Sequence, residues 1–209
     1  MSDAEDPSTD SAEFDPEEWR EQLHSHRAEK DDFLAEHQQS PIPPEEREEF
    51  DGLDYFEPDP DYRVTATMTV HDRPEPVEMD VNAGAPQRYL RVATLDFELD
   101  GETRRTSGES SGEQRDPRDG EKYELAAYQR EGGDGLFVPF RDKTTGQQTY
   151  ERGRYMEFET QGELEDGDEL VLDFNLAYSP FCAYSETFAC ALPPEENWLE
   201  TEIRAGEKA

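Results

Sequence analysis

The chain of 209 residues sets 54 Asp and Glu against 20 Lys and Arg, a formal charge of −34, with only 32% hydrophobic residues. A surface of that sign repels a nucleic-acid backbone, so nucleic acid is excluded as a partner. The 11% of aromatic residues and several alternating apolar runs still supply one buried core, and a single compact domain with loose segments is expected.

Residues 1–15 offer Phe14 as their one large apolar ring, too little to offset the entropy of ordering, and read as a disordered acidic tail. They have neither the basic start nor the apolar stretch of a signal peptide, and no run approaches the roughly 18 apolar residues of a spanning helix. A cytoplasmic protein with no membrane association is expected. Residues 16–37 predict a helix: Asp15 can cap it, Pro16 suits its first turn, and Trp19, Leu23, His26, Lys30 and Phe33 recur at alternating spacings of four and three. Its thin apolar stripe, through Trp19, Leu23, Phe33 and Leu34, should lie on the main domain and leave His24 and His26 exposed. The run Ser40-Pro41-Ile42-Pro43-Pro44 breaks the chain, and residues 45–50 can make a short turn before Gly52. The organisation expected is therefore a tail at 1–15, a helical segment at 16–50 and a β domain at 51–209.

From Tyr62 the hydrophobic period shifts to two. Residues 64–70, 77–81, 89–99, 123–129, 136–141, 150–160, 169–178 and 199–205 are short, rich in β-formers and separated by Gly, Pro or Asp. About eight strands without long intervening helices predict a mainly β, antiparallel barrel-like or sandwich domain carrying an N-terminal helical extension. Residues 100–122 contain no aliphatic or aromatic side chain and read as a polar insertion, its Arg104, Arg105, Arg115 and Arg118 interleaved with acids.

Chemistry-bearing residues gather after Phe140. Asp142 and Thr144 fall in a Gly-containing turn before Tyr150, where they can satisfy turn donors themselves or face a ligand. An Arg beside a Gly in mid-strand, as in Gly153-Arg154-Tyr155, marks a bulge or a close backbone approach, and an inward guanidinium needs an anion or carbonyl. Alternation in 170–178 sets Asp173 and Asn175 on one face. Antiparallel pairing of strands 150–160 and 169–178 through the Asp166-Gly167 turn would bring Arg154 within diagonal reach of Asp173 or Asn175. A polar cluster of Arg154, Asp173, Asn175 and Tyr178 at the barrel mouth follows, either as a binding site or as an ion pair tying two strands.

Cys182 and Cys190, eight apart between prolines, admit a disulfide, half of a metal site, or a nucleophile with a resolving thiol. A cytosolic setting argues against a structural disulfide. Zinc would need two more soft ligands, yet there is no other Cys and all four His lie in the first 71 residues. Buried, unreactive thiols packed with Phe181, Tyr184 and Phe188 are the reading favoured.

Several long motifs recur together. They are Phe140-x-Asp142-x-Thr144-x-Gly146-x-x-Thr149-Tyr150-x-x-Gly153-Arg154-Tyr155, Asp173-Phe174-Asn175-x-Ala177-Tyr178-x-Pro180-x-Cys182-Ala183-Tyr184, Cys190-x-Leu192-Pro193-Pro194-x-Glu196-Asn197 and Ala205-Gly206-Glu207-Lys208. With Ser40-Pro41 and Phe50-x-Gly52-Leu53-x-Tyr55-Phe56 upstream, the chain resembles the bacterial and archaeal domain-of-unknown-function family DUF1684. The resemblance implies no activity, substrate or cofactor. The chain departs from the family pattern in its insertion after Leu99 and in Phe181, where a second Pro is expected. Lys occurs only at positions 30, 122, 143 and 208, the other bases being Arg, and this acidic, Lys-poor composition resembles cytosolic proteins of salt-in halophiles. At molar salt the Debye length of about 3 Å screens the self-repulsion.

Three functional classes survive. The one favoured is a small-molecule binding domain that presents Asp142, Thr144, Tyr150, Arg154, Tyr155, Asp173, Asn175, Tyr178, Cys182 and Tyr184 to a polar or anionic ligand. The second is a hydrolase or thiol-dependent transferase, with Cys182 as nucleophile, Tyr178 or Asp173 as acid/base and Arg154 as oxyanion partner. The third is a structural or protein-interaction module. The residues specify no cofactor, metal site or oligomeric state.

Overall fold

The computed structural model describes residues 14–99 and 120–209, apart from Glu131, Asp134, Gln161 and Glu163. Most of the expected tail and insertion therefore lies outside the described residues. Helix α1 (Pro16–Glu36) begins as its sequence implies, with the Asp15 side chain accepting from the backbone N–H groups of Glu17 and Glu18. Its buried face is Trp19, Leu23, Arg27 and Leu34. His24 and His26 are exposed as expected and Phe33 is half-buried, and the stripe gains one residue beyond those expected, Arg27. The Arg27 stem packs while its head donates to the Phe56 carbonyl at 3.0 Å.

Six strands follow: β1 (Arg63–Met79), β2 (Gln87–Leu99), β3 (Glu121–Arg130), β4 (Leu136–Phe140), β5 (Arg154–Phe158) and β6 (Glu169–Asp173). They form one antiparallel sheet in the order β5-β4-β3-β2-β1-β6, curled into a half-barrel. The chain leaving β6 returns to the far edge, where Tyr155 and Tyr178 exchange backbone hydrogen bonds of 2.8 and 3.0 Å. That bridge ties β5 to the segment that continues β6.

The fold is mainly β as expected, but six strands replace eight for identifiable reasons. Segments 64–70 and 77–81 merge into β1 through a register shift between Val70 and Glu75, an irregularity that contains Pro74. β6 stops at Asp173, whose carboxylate accepts from the Asn175 N–H at 3.0 Å and starts a helical turn over Phe174–Leu176. Residues 199–205 do alternate, with Leu199, Thr201, Ile203 and Ala205 buried, yet they are no strand. Leu199 and Thr201 bond to the backbone of Arg141 and Lys143 just past β4, at 2.7 and 2.9 Å, while the Ile203 and Ala205 carbonyls are taken by the Arg154 guanidinium.

The core joins the concave face of the sheet to the C-terminal segment. Phe97, Phe140 and Phe174 meet there, Phe174 lying 5.6 Å from Phe97 and 5.5 Å from Phe140 between ring centroids. All five residues of β4 are buried, so this strand is covered on both faces. Tyr89, Tyr128, Phe137 and Tyr155 make a second cluster beside it.

Candidate functional site

The motif residues part into two groups. Arg154, only 1% exposed, occupies the interior with Asp142: Nη2 lies 2.8 Å from the Asp142 carboxylate and 2.8 Å from the Ile203 carbonyl, and Nη1 donates to the Ala205 carbonyl. The turn between β4 and β5 holds Asp142 in place, because its second carboxylate oxygen accepts from the Thr144 N–H at 2.6 Å and hydroxyl at 2.5 Å. Thr144 also meets the Thr149 hydroxyl at 3.0 Å. Gly153 is required here: at φ 97° a Cβ would come within 2.6 Å of the Phe140 carbonyl oxygen. This is the close backbone approach implied by an Arg next to a Gly.

The expected partners of Arg154 are corrected. β6 pairs with β1, in the register Arg63↔Asp173, and the Asp166-Gly167 turn hydrogen-bonds to Met68 rather than leading back to β5. Asp173 is consequently held by other groups. It accepts from the Trp19 indole at 2.7 Å and the Asn175 amide at 2.9 Å, and lies 3.8 Å from Arg63 Nε. Asn175 in turn clasps the Asp59 backbone through both its amide atoms, at 3.0 and 2.8 Å.

Asp173, Asn175 and Tyr178 line a cleft of about 760 Å³ between α1 and the gap where the two edges of the sheet, β5 and β6, face one another. Trp19, Leu23 and Phe33 face it from the helix, with Met156, Val171 and Phe181 among the groups opposite. Three cations, Arg27, Lys30 and Arg63, share its lining with Glu157, Asp173 and Glu207. Burial lowers the Arg27 pKa against the pull of Tyr55, Glu57, Asp173 and Glu207, and its guanidinium stacks 4.3 Å from the Tyr55 ring. Lys30 pairs with Glu207 and sits 4.8 Å above the Tyr178 ring. Arg63 is held more loosely: one third exposed, its closest carboxylate is Asp173 at 3.8 Å. Burial raises the Tyr178 pKa, and the Glu157 charge adds to it, so the phenol stays protonated at neutral pH.

The remaining candidates sit elsewhere. Tyr184 donates to Glu207 at 2.9 Å, and the Ser179 N–H reaches the same oxygen at 2.7 Å, which fastens the C-terminal segment. Tyr155 donates to the Ala191 carbonyl, and Tyr150 to the Cys182 carbonyl at 3.2 Å. Cys182 is buried as expected, whereas Cys190 is only half-buried. The barrel-mouth cluster is thus reduced to Asp173, Asn175 and Tyr178. The groups that complete the cleft come from α1 and from Arg63 and Glu207. Trp19 and Lys30 already share one helix stripe, and Glu207 ends a motif, but nothing in their spacing brings them together. Among the described residues no three His, Cys, Asp or Glu side chains gather as a metal site, and no helix is long and apolar enough to cross a membrane.

A family model described as "Protein of unknown function (DUF1684)" matches residues 48–208. The chain belongs to the DUF1684 family. The match takes in both edges of the half-barrel and the Arg154 brace, while α1 lies before it. This DUF1684 chain is also similar to an uncharacterized protein of Haloarcula marismortui known from a solution NMR structure, at 56% identity over 92% of this chain and 95% of that one, with a TM-score of 0.67. No curated protein matches it.

Proposed function

We propose that this DUF1684 chain binds a small molecule with an apolar body and a polar or anionic group, and that the cleft beneath α1 is its site. The supporting observation is the gathering of Arg27, Lys30 and Arg63 around one aromatic-walled cleft in a chain with 54 acids and 20 bases. The volume of about 760 Å³ lies within the range of small-molecule sites, and an apolar lining with a few charged groups is their usual composition. Arg63 is the cation nearest to being available, because its ion pair at 3.8 Å is long and a third of its side chain is exposed, its other contact being the Phe14 ring 4.7 Å away.

Trp19 reports on this site directly, since its indole reaches Asp173 within the cleft. In a Trp198→Phe background at molar KCl it is the sole indole, and titration with a panel of organic acids and their neutral amides should give a saturable change in its emission for at least one acid. Val171→Phe, placed on a cleft residue that is 40% exposed and so spares the core, should weaken that binding. Arg63→Gln should weaken the acid about ten- to a hundredfold and its amide far less, as expected for one charge-assisted hydrogen bond. A flat response across the panel, with no small molecule retained in native mass spectra of the purified chain, overturns the reading.

A further inference from the structure

The two thiols belong to neither the cleft lining nor the Arg154 brace. They lie on the excursion that leaves β6, and both ends of that excursion are fastened. At its start the Ser179 N–H is held by Glu207, and Phe181–Ala183 form a helical turn closed by the Ala183 N–H on the Pro180 carbonyl at 2.8 Å. At its end Asn82 takes the Cys190 N–H at 2.6 Å, returns its own N–H to the Cys190 carbonyl at 3.2 Å and donates its amide to Phe188 at 3.0 Å. Between these anchors the two thiols, both free, act on one another more strongly than on any other group, and both face the Tyr155 ring against which Cys190 packs. A third group joins them from the β4–β5 turn, the Tyr150 hydroxyl lying 3.7 Å from Cys182 Sγ.

The pair is asymmetric. The Cys190 hydrogen bond stabilises the Cys182 thiolate most; burial opposes it, and the Tyr150 hydroxyl and the Arg152 charge add to it, so Cys182 is brought down to about 6. Cys190, the donor, is pushed up by that same bond and by its own burial. Tyr155 also faces the two sulfurs and is kept protonated by burial, and the Arg130 charge acts on Cys190 against its rise. Cys182 is 9% exposed, so a reagent of two oxygen atoms can reach it where a protein disulfide cannot.

We infer that Cys182 and Cys190 are a redox-active dithiol, with Cys182 attacking hydrogen peroxide and Cys190 closing an intramolecular disulfide. In the first step the Cys182 thiolate bonds to one peroxide oxygen, the O–O bond breaks, and the departing hydroxide takes up a proton as water. In the second the Cys190 sulfur gives up its proton and attacks Cys182, the S–O bond of the sulfenic acid breaks, and a second water leaves. The two thiols lose two electrons and peroxide gains them. A thiol reductant restores the pair. Nothing in this chemistry requires the cleft to hold a ligand.

The test treats the full chain in molar KCl with hydrogen peroxide and follows intact mass and peptide maps. The wild type should lose two hydrogens and show one Cys182–Cys190 cross-link that dithiothreitol reverses. Cys190→Ser should stop one oxygen heavier, with a dimedone adduct on Cys182, and both Cys182→Ser and Cys182→Ala should leave Cys190 unmodified. The rate of Cys182 alkylation should rise through a midpoint near 6, and Tyr150→Phe should slow it at pH 7 but not at pH 10. Survival of both thiols in the folded chain, a cross-link between chains, or peroxide capture by Cys190 in the Cys182 variants overturns the proposal; the wild-type peptide map decides even where a variant fails to fold.

Discussion

Replacing Arg154 by Met removes the side chain that holds the Ile203 and Ala205 carbonyls of the C-terminal segment. Both partners of the Arg154–Asp142 pair have side chains only 1% exposed, at 2.8 Å. Breaking such a buried pair from one side costs about 3–5 kcal/mol, because the surviving carboxylate is left without a counter-charge. The Ile203 and Ala205 carbonyls lose their donor as well, each worth about 1 kcal/mol or more when left buried. The Thr144 N–H and hydroxyl still hold Asp142 and limit the loss. The expected total is about 4 kcal/mol, nearly a thousandfold in the folding equilibrium and a large share of a domain's stability. Urea unfolding at molar KCl measures it, and Arg154→Met combined with Asp142→Asn should recover about 2 kcal/mol by removing the stranded charge. A loss below about 1 kcal/mol, or strict additivity of the two changes, would refute the claim that this pair braces the C-terminal segment.

Gly206→Ala should cost about 3 kcal/mol or more in the same urea assay, since at φ 78° its Cβ would press on the Phe174 carbonyl at 2.8 Å and more closely on that of Ala177, both backbone atoms that cannot swing aside. Asn197→Ala should cost about 2–4 kcal/mol, because its side chain accepts from the Ala126 N–H at 2.8 Å and donates to the Ala126 and Pro139 carbonyls at 2.9 and 2.7 Å. Burial raises the Asp31 pKa above its ordinary 3.8, so the folded chain favours the protonated acid: that contribution is full below 3.8 and lost as pH rises through the raised value. Asp31→Asn, which keeps an oxygen for the Leu53 N–H, should therefore be more stable than the wild type at pH 7 and lose that advantage in acid, as a thermal melt at each pH would show.

The elements legible in the sequence were those set by neighbours along the chain. Asp15, Pro16 and two following acids open a helix wherever they occur, because a cap satisfies donors two and three residues away. The period-two burial of residues 65–69 in β1, of residues 93–99 in β2 and even of residues 199–205 was equally readable, since a strand turns alternate side chains to opposite faces irrespective of its partner. What alternation cannot reveal is what bonds to the backbone. For residues 199–205 the answer is the chain past β4 at one end and an arginine at the other, and for β6 it is β1 rather than β5.

The candidate site divided along the same line. Arg154 announced its need for an interior anion through its type and its neighbour Gly153, but a guanidinium accepts any carboxylate or carbonyl within reach. Asp142, twelve residues upstream in the turn, met that need, which left Asp173 to Trp19 and Arg63. The cleft was illegible altogether, because its walls come from α1, β1, β5, the excursion after β6 and the C-terminus. Composition and periodicity determined an acidic, mainly β chain with an N-terminal helix, since burial and capping act locally on residue type. Which charges pair, where the sheet edges meet and where a ligand-sized space opens were decided by tertiary structure alone, because each depends on distances between segments that local preference leaves free.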